Sequence, residues 1–228
     1  MKTYLQLVNN VLTALRESQT TDVNGSSYTE LVGKFVNDAK QQVEDSWDWS
    51  AYNEVRTATI AGGADFFVLA GTDNRVKLEM VSITDPTAGT NSLLVEIPRK
   101  VILLRSFTST EGAAGIPTNY ANNGVDANGD ALISVSPPAL TASNVMVSGW
   151  FRPTDLVSNA DTLSIPYAPV QDLAVAMAVR EGGESAGQTS AEYFEIAKRS
   201  LSDAIAYDSA RNGEETDWHV DYTPYGRL

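Results

Sequence analysis

The sequence predicts an α+β protein in which two pairs of helices flank an inserted β segment. Apolar residues recur at helical spacing near both ends of the chain, and they alternate at strand spacing through its middle. Loops rich in Gly, Asn, Asp and Pro separate the short strands, as in a small antiparallel sandwich or barrel. We therefore expect a four-helix bundle-like core from residues 1–50 and 165–211, a β domain from residues 51–164, and an extended C-terminal tail from residues 212–228.

The first fifty residues predict two antiparallel helices. Residues 3–18 carry an apolar stripe with polar residues on the other face, which is typical of a helix packed on a partner. The connector contains Asn24 and Gly25, a strong turn signal. Ser27 and Glu30 then match a capping box, in which the serine hydroxyl and the glutamate satisfy two backbone amides. The second helix is predicted to begin there.

The stretch from residue 31 to residue 60 joins the second helix to the first strand. Helical spacing extends to Trp47, and alternation follows from Val55. Trp47 and Trp49 lie at the join, where two large rings can bury much apolar area. We expect these two residues to form a hinge that fixes the angle between helix and sheet.

The β segment is predicted to contain seven short strands. Gly62 and Gly63 separate the first two, which predicts a hairpin between them. Residues 99–106 fit a helical turn or a strand equally well. The first predicted strand ends at residue 60. The other six span residues 65–69, 75–80, 91–97, 117–121, 131–135 and 144–151.

The chain after residue 165 predicts two further helices and a tail. Residues 169–180 form the third helix, which Gly182 and Gly183 end, and residues 190–211 form the fourth. The tail has no helical or strand period, and its aromatic residues either fold back onto the chain's own core or anchor in another protein. Those tail residues with an aromatic ring are Trp218, His219, Tyr222 and Tyr225.

Composition excludes several classes of protein. The chain has no cysteine, which excludes disulfides, thiolate zinc sites and cysteine nucleophiles and fits a cytoplasmic origin. No apolar run is long enough to cross a membrane. The net charge of −13 disfavours nucleic-acid binding, since phosphate contact needs clustered Lys and Arg. The acidic residues form either an ordinary solvated surface or the wall of a passage along which DNA slides without sticking.

We expect no catalytic, cofactor or metal site. The chain's single histidine, His219, has no second histidine or cysteine with which to bind zinc. Glu44, Asp45 and Asp48 lie near two tryptophans, but the acidic polar face of a helix end explains them better than a glycosidase pair does. Residues 124–130 lack the full set of oxygen ligands of a calcium loop and fit a turn between strands.

The chain resembles phage head-to-tail connectors, of the adaptor class that includes the tail tubular protein A, or gatekeeper, of short-tailed phages. The resemblance spans nearly the whole sequence as a pattern rather than as one sharp motif. The segments that carry it are LQLVNNVLTALRE, FVNDAKQQVEDSWDWSAYNEVRTATI, IPTNYA, WFRPTDLVSNADTLSIPYAPVQDLAVAMAVREGG and AEYFEIAKRSLSDAIAYDSAR.

The resemblance implies a structural virion protein at the head–tail interface, assembled in the host cytoplasm. Such adaptors form a ring, expected to have twelve copies, beneath the portal protein. The helices build the ring, and the β insertion lies toward the outside or toward the next tail component, such as a nozzle, stopper or tail tube protein. DNA passes through without specific binding, and no cofactor or membrane takes part.

The resemblance also implies roles for particular residues. The C-terminal segment would reach the portal, which makes Trp218, His219, Tyr222 and Tyr225 the expected portal-binding residues. Acidic residues of the second helix are expected to face the DNA channel, namely Asp38, Glu44 and Asp45. An alternative from another class is a tail-associated carbohydrate-binding or cell-wall-degrading component that uses the β domain.

Overall fold

The chain divides into two compact units, one helical and one containing the β strands. The computed structural model describes residues 1–72, 75–107, 114–182 and 187–212. The helical unit comprises Met1–Ala51 and Asp155–Leu228, and the β unit comprises Tyr52–Thr154. The predicted α+β class is confirmed.

The described residues form five α-helices and eight strands. The helices are α1 (Tyr4–Ala14), α2 (Ser27–Asp45), α3 (Arg99–Phe107), α4 (Tyr167–Glu181) and α5 (Gly187–Asn212). The strands are β1 (Asn53–Ile60), β2 (Phe66–Leu69), β3 (Val76–Thr84), β4 (Asn91–Leu93), β5 (Val95–Glu96), β6 (Asn119–Val125), β7 (Ala131–Ser136) and β8 (Ser143–Phe151). The segment that the sequence left open between helix and strand is thus helix α3.

The second helix begins where the sequence predicts, but its cap lies one residue earlier. Ser26 is the cap residue: its hydroxyl accepts the Thr29 amide at 3.2 Å, and the Thr29 hydroxyl accepts the Ser26 amide at 3.1 Å. The prediction that Ser27 and Glu30 form this box is therefore wrong. A threonine hydroxyl closes the box in place of a carboxylate, because either group can accept an amide.

Helix α1 is shorter than predicted because the chain leaves it in a left-handed turn. Arg16 has φ 63°, and the Glu17 amide donates to the Leu12 carbonyl at 2.9 Å. The Arg16 amide donates to the Thr13 carbonyl at 3.1 Å. These two bonds form a Schellman motif, which satisfies the last carbonyls of the helix.

Two asparagine side chains bind loop backbone onto helices of the helical unit. Asn9 of α1 donates to the Thr20 carbonyl at 2.9 Å and accepts the Thr20 amide at 2.8 Å. Asn37 of α2 does the same with Leu156, with both distances 3.0 Å. A carboxamide has one N–H donor side and one carbonyl acceptor, as a peptide group does. Each asparagine can therefore bind both the amide and the carbonyl of one loop residue, as a neighbouring β strand would.

The segment that re-enters the helical unit is folded around Asp161. The Asp161 carboxylate accepts the Val157 and Ser158 amides, both at 2.7 Å, and these two bonds lower its pKa. Its carbonyl accepts the Tyr4 amide at 2.8 Å, at the start of α1. Asn159 accepts the Val23 amide at 3.1 Å. The first helix and the re-entering segment therefore support each other, although more than 130 positions separate Val23 from Asn159.

The β unit contains two four-stranded sheets. Their strand orders are β1-β8-β3-β4 and β2-β7-β6-β5, and every pair is antiparallel except β5 with β6. The predicted hairpin between the first two strands is wrong, because β1 pairs with β8 and β2 pairs with β7. Gly63 turns the chain from one sheet to the other, with φ 80° and its amide bonded to the Ala139 carbonyl. The barrel alternative is wrong because the strands do not close into one sheet.

One cluster of buried apolar side chains draws on both sheets. In the centre of the first sheet, Val81 and Ile83 of β3 lie beside Val147 and Val145 of β8, and none is more than 1% exposed. The alternating burial of β8 explains this, since every second side chain faces the cluster. The fully buried members from the other sheet and its turns include Phe67, Leu69, Ile133, Val135 and Ala139.

Strand β3 has a bulge that approaches β8 closely at Gly149. The pairing register shifts between Leu78 and Met80, and a Cβ atom built on Gly149 would collide with the Lys77 carbonyl oxygen. The obstacle is backbone rather than a flexible side chain. The bulge therefore requires glycine at this position.

We predict that Gly149→Ala destabilises the protein by about 1–3 kcal/mol, because the strands must separate to admit the methyl group. Urea unfolding followed by circular dichroism measures the change. Gly62→Ala is the matched control, since its nearest neighbours would lie 3.4 Å from the new Cβ, an ordinary contact distance. Equal stability of the two variants would contradict the role of the bulge.

A second prediction concerns acid stability. The pKa of Asp161 is lower in the folded chain than its ordinary value of 3.8, so its contribution is full above that value and is lost as pH falls through the folded pKa. Asp161→Asn should therefore destabilise the protein most near neutral pH, and the difference from the unmodified chain should shrink below about pH 4. Urea midpoints across pH measure this, with the exposed Asp203→Asn as control. A difference that is independent of pH would refute it.

Candidate interaction surfaces

A buried carboxylate of α5 binds the segment that follows α2, residues 47–50, which we call the knuckle. Asp208, 6% exposed, accepts the Trp47 indole N–H at 3.1 Å and the Ser50 amide at 3.0 Å. The Ser50 hydroxyl donates to the other carboxylate oxygen at 2.5 Å. Three donors thus satisfy one buried charge, which would otherwise be costly. Residues that are 158 or more positions apart are joined here.

Trp49 lies deeper than Trp47 within the helical unit. It is 1% exposed, and its indole N–H donates to the Val43 carbonyl at 2.8 Å near the end of α2. The Val43 carbonyl, one of the last of the helix, also accepts the Ser46 hydroxyl at 2.6 Å. Both tryptophans thus contact the helical unit, and their predicted role in setting the angle between helix and sheet stays a prediction.

Sequence reasoning missed Asp208, although a signal was present. Asp208 follows Ala204 and Ile205 by four and three positions, and so it falls on the apolar stripe of α5. A carboxylate in such a stripe indicates a buried hydrogen-bond acceptor with partners on another element. Those partners, Trp47 and Ser50, could not be identified from spacing because they lie on a distant part of the chain.

The acidic residues that were assigned to a channel occupy different environments. Asp38 and Asp45 are exposed on α2. Glu44 is fully buried and pairs with Lys40 at 3.0 Å, one helical turn away, with Lys40 only 1% exposed. In this conformation Glu44 therefore cannot present its carboxylate to a channel, because the carboxylate neutralises a buried lysine. The residues assigned to portal binding, Trp218, His219, Tyr222 and Tyr225, lie outside the described residues.

An apolar groove separates α5 from α2 and α4. It has a volume of about 240 Å³ and lies along the first half of α5. Ala197 is the buried residue of α5 there, whereas Phe194 and Leu201 are only half-buried. The lining residues are Gln42, Val43, Pro169, Leu173, Phe194, Ala197, Lys198 and Leu201.

The loop at residues 124–130, which the sequence compared with a calcium loop, is held by hydrogen bonds to its own aspartates. Asp126 accepts the Asn128 and Asp130 amides at 2.8 and 2.9 Å, and Asp130 accepts the Thr72 amide at 3.0 Å. These bonds hold the turn between β6 and β7 and join it to Thr72.

The phenol of Tyr120 in β6 is buried, and burial raises its pKa, which keeps that phenol neutral. No cluster of metal-ligating side chains occurs among the described residues, and none of their helices has the length and apolar character of a membrane span.

We predict that Asp208→Ala lowers the free energy of unfolding by about 2–4 kcal/mol, because the Trp47 and Ser50 donors lose their acceptor inside the protein. Urea unfolding measures the loss, and tryptophan fluorescence reports the environment of Trp47. Asp203→Ala, an exposed change on the same helix, should shift stability by less than about 0.5 kcal/mol. An equally small effect of Asp208→Ala would show that the carboxylate does not hold the knuckle.

Comparison with known protein families gives a match that extends over most of the chain. A model of the SU10 adaptor protein family matches residues 2–220, which include both units. A search of curated proteins finds no match to the chain. The predicted adaptor class is confirmed, whereas the likeness to tail tubular protein A stays a resemblance. Because the match extends over nearly the whole chain, this protein belongs to the SU10 adaptor protein family of phage head-to-tail adaptors.

Proposed function

We propose that the protein forms a ring of twelve copies beneath the portal, joins the portal to the next tail component and continues the DNA channel. The observation that carries this proposal is the family match over residues 2–220. The adaptor works without chemistry and resides in the virion at the head–tail interface, after assembly in the host cytoplasm. Its partners are the portal protein, a nozzle, stopper or tail tube protein, and further copies of itself.

In this proposal the helical unit builds the ring. The first half of α5 supports the proposal, because Ile196 is 54% exposed there and the groove along this part of the helix is apolar. Apolar side chains that are left open on a helix are typical of a surface that another subunit covers. The β unit, residues 52–154, then faces the outside or the next tail component.

We further propose that Asp38 and Asp45 of α2 face the channel. Both are exposed, and the net charge of −13 means that the surface as a whole repels DNA. A wall of the same sign as the phosphates lets DNA slide without sticking. A reconstruction of the adaptor bound to its portal tests this assignment, which fails if both carboxylates lie on the outer surface of the ring.

The C-terminal segment is proposed to anchor the adaptor in the portal. Trp218, His219, Tyr222 and Tyr225 supply the large amphipathic rings that dominate binding energy at protein interfaces. Particle mass, measured on the purified protein alone and mixed with its portal, tests ring formation and attachment. We expect a complex in which portal and adaptor copies match the ring stoichiometry.

We predict that Trp218→Ala, Tyr222→Ala and Tyr225→Ala together abolish portal binding and leave the fold intact, since truncation of one interface hot spot typically costs about 2 kcal/mol or more. Sedimentation of the mixed proteins measures the complex. Tyr28→Ala with Phe107→Ala is the control, because both rings are exposed elsewhere, at 45% and 82%. Undiminished binding by the triple variant would reject the anchor.

The same protein should be inactive toward cell-wall polymers. The alternative, a carbohydrate-binding or wall-degrading component, has no specific observation in its favour among the described residues. A glycan-binding assay and a cell-wall turbidity assay separate the two functions. Clear activity in either assay, combined with failure to join the portal, would favour the alternative.

A further inference from the structure

A second groove opens in the helical unit at the C-terminal end of α5. Its volume is about 570 Å³, more than twice that of the groove beside the first half of the helix. The N-terminal residues, the knuckle after α2, the residues that precede α4 and the last turn of α5 all contribute to its walls. The lining residues used below are Lys2, Trp49, Tyr167, Tyr207, Asp208 and Arg211.

The groove combines open aromatic rings with unpaired cations. Tyr167 is 45% exposed and Tyr207 is 69% exposed, which leaves two large rings accessible. The Lys2 ammonium lies 3.9 Å from the centre of the Tyr167 ring, and Arg211 is exposed in the last turn of α5. Neither cation forms an ion pair with any residue that the structure describes. In a chain of net charge −13, this combination fits an acidic and aromatic peptide.

Asp208 is the one carboxylate among the described residues that line this groove, and it does not reverse the preference for an acidic peptide. Asp208 is 6% exposed, and its two oxygens accept hydrogen bonds from Trp47 and Ser50. Its charge is therefore directed into the knuckle, whereas Lys2 is half-buried and Arg211 is exposed.

The chain's own sequence after α5 has the matching chemistry. Residues 213–228 start two positions after Arg211 and read GEETDWHVDYTPYGRL. Their first nine positions hold four acidic residues and one tryptophan. Sixteen extended residues reach about 53 Å at most, far more than a return along the last turns of α5 requires. Gly213, just after the helix, tolerates the left-handed conformation that reverses a chain at a helix end.

We propose that this groove is the docking site of the chain's own C-terminal segment. Glu214, Glu215 and Asp217 pair with Lys2 and Arg211, and the Trp218 ring packs against Tyr167 and Tyr207. The docking depends only on the groove and the segment, and so it goes beyond the proposed portal anchor. If both hold, the free protein keeps its anchor against its own surface until the portal competes for it.

The test follows Trp218 in the full-length chain. The protein contains four tryptophans, so incorporation of fluorotryptophan gives four fluorine NMR signals, and Trp218→Phe assigns one of them. We expect the Trp218 signal to be displaced and broadened relative to a synthetic peptide of residues 213–228. Lys2→Glu with Arg211→Glu should return it toward the peptide position, with the docking equilibrium constant reduced about tenfold or more.

The control makes the same charge change away from the groove. Lys34→Glu with Arg199→Glu reverses two exposed cations, one on α2 and one on α5, and should leave the Trp218 signal displaced. The proposal is overturned if the unmodified chain already gives the peptide signal, or if both pairs of substitutions act alike. A displacement that disappears on dilution would assign the groove to the tail of a second copy and also overturn docking within one chain.

Portal binding is measured on the same variants, which separates this proposal from the proposed function. Release of the segment by the groove variant should strengthen portal binding or leave it unchanged. A variant that loses docking and keeps portal binding supports both proposals. A chain that never docks its segment but binds the portal refutes only the docking.

Discussion

The buried Asp208 carboxylate is the contact on which the assembly of the helical unit most depends. The unit is built from two stretches of chain, Met1–Ala51 and Asp155–Leu228, which the β unit separates in sequence. Joining them has an entropic cost that grows with the length of the intervening chain, although only slowly. Asp208 offsets part of this cost, because its carboxylate accepts hydrogen bonds from the Trp47 indole and from the amide and the hydroxyl of Ser50. The knuckle and the last helix are therefore positioned together.

Where the chain returns from the β insertion, asparagine side chains join the two stretches of the helical unit. Asn37 binds the backbone of Leu156 on the re-entering segment, and Asn159 of that segment binds the Val23 amide. Pairs of this kind satisfy backbone groups in loops, which would otherwise need water or regular structure. They also fix the register of the segment, since a shift by one residue would break both hydrogen bonds of a pair. The unit thus depends on directed polar contacts as well as on its apolar core.

The buried pair of Lys40 and Glu44 adds a different kind of contact. Replacing such a pair with apolar residues often costs little, whereas removing one partner leaves a buried charge and costs several kcal/mol. The pair therefore favours one packing of α2 over others that would expose either group or separate them.

The distribution of charge and aromatic residues links the fold to its role. In the proposed ring, an acidic surface suits a subunit that lies beside DNA without binding it, and the exposed Asp38 and Asp45 lie on a helix of the helical unit. The cations at the end of α5 stand out against that background. They lie where the C-terminal segment leaves the last helix, so the surface of the subunit and the segment proposed to bind the portal are chemically matched.

The sequence by itself determined the α+β class and the approximate positions of the terminal helices and of most strands, because helical and strand periodicities are local properties of the chain. It did not separate β4 from β5 or identify helix α3. It also led to the adaptor family through patterns that extend over most of the chain. It could not determine that β1 pairs with β8 rather than with β2, since pairing depends on packing over long sequence separations. Likewise, Glu44 carries the same charge as Asp38 and Asp45, and only the packing of α2 buried it against Lys40. The tertiary structure alone brought Asp208 to Trp47 and Ser50, because these donors and their acceptor meet only when both halves of the helical unit are folded.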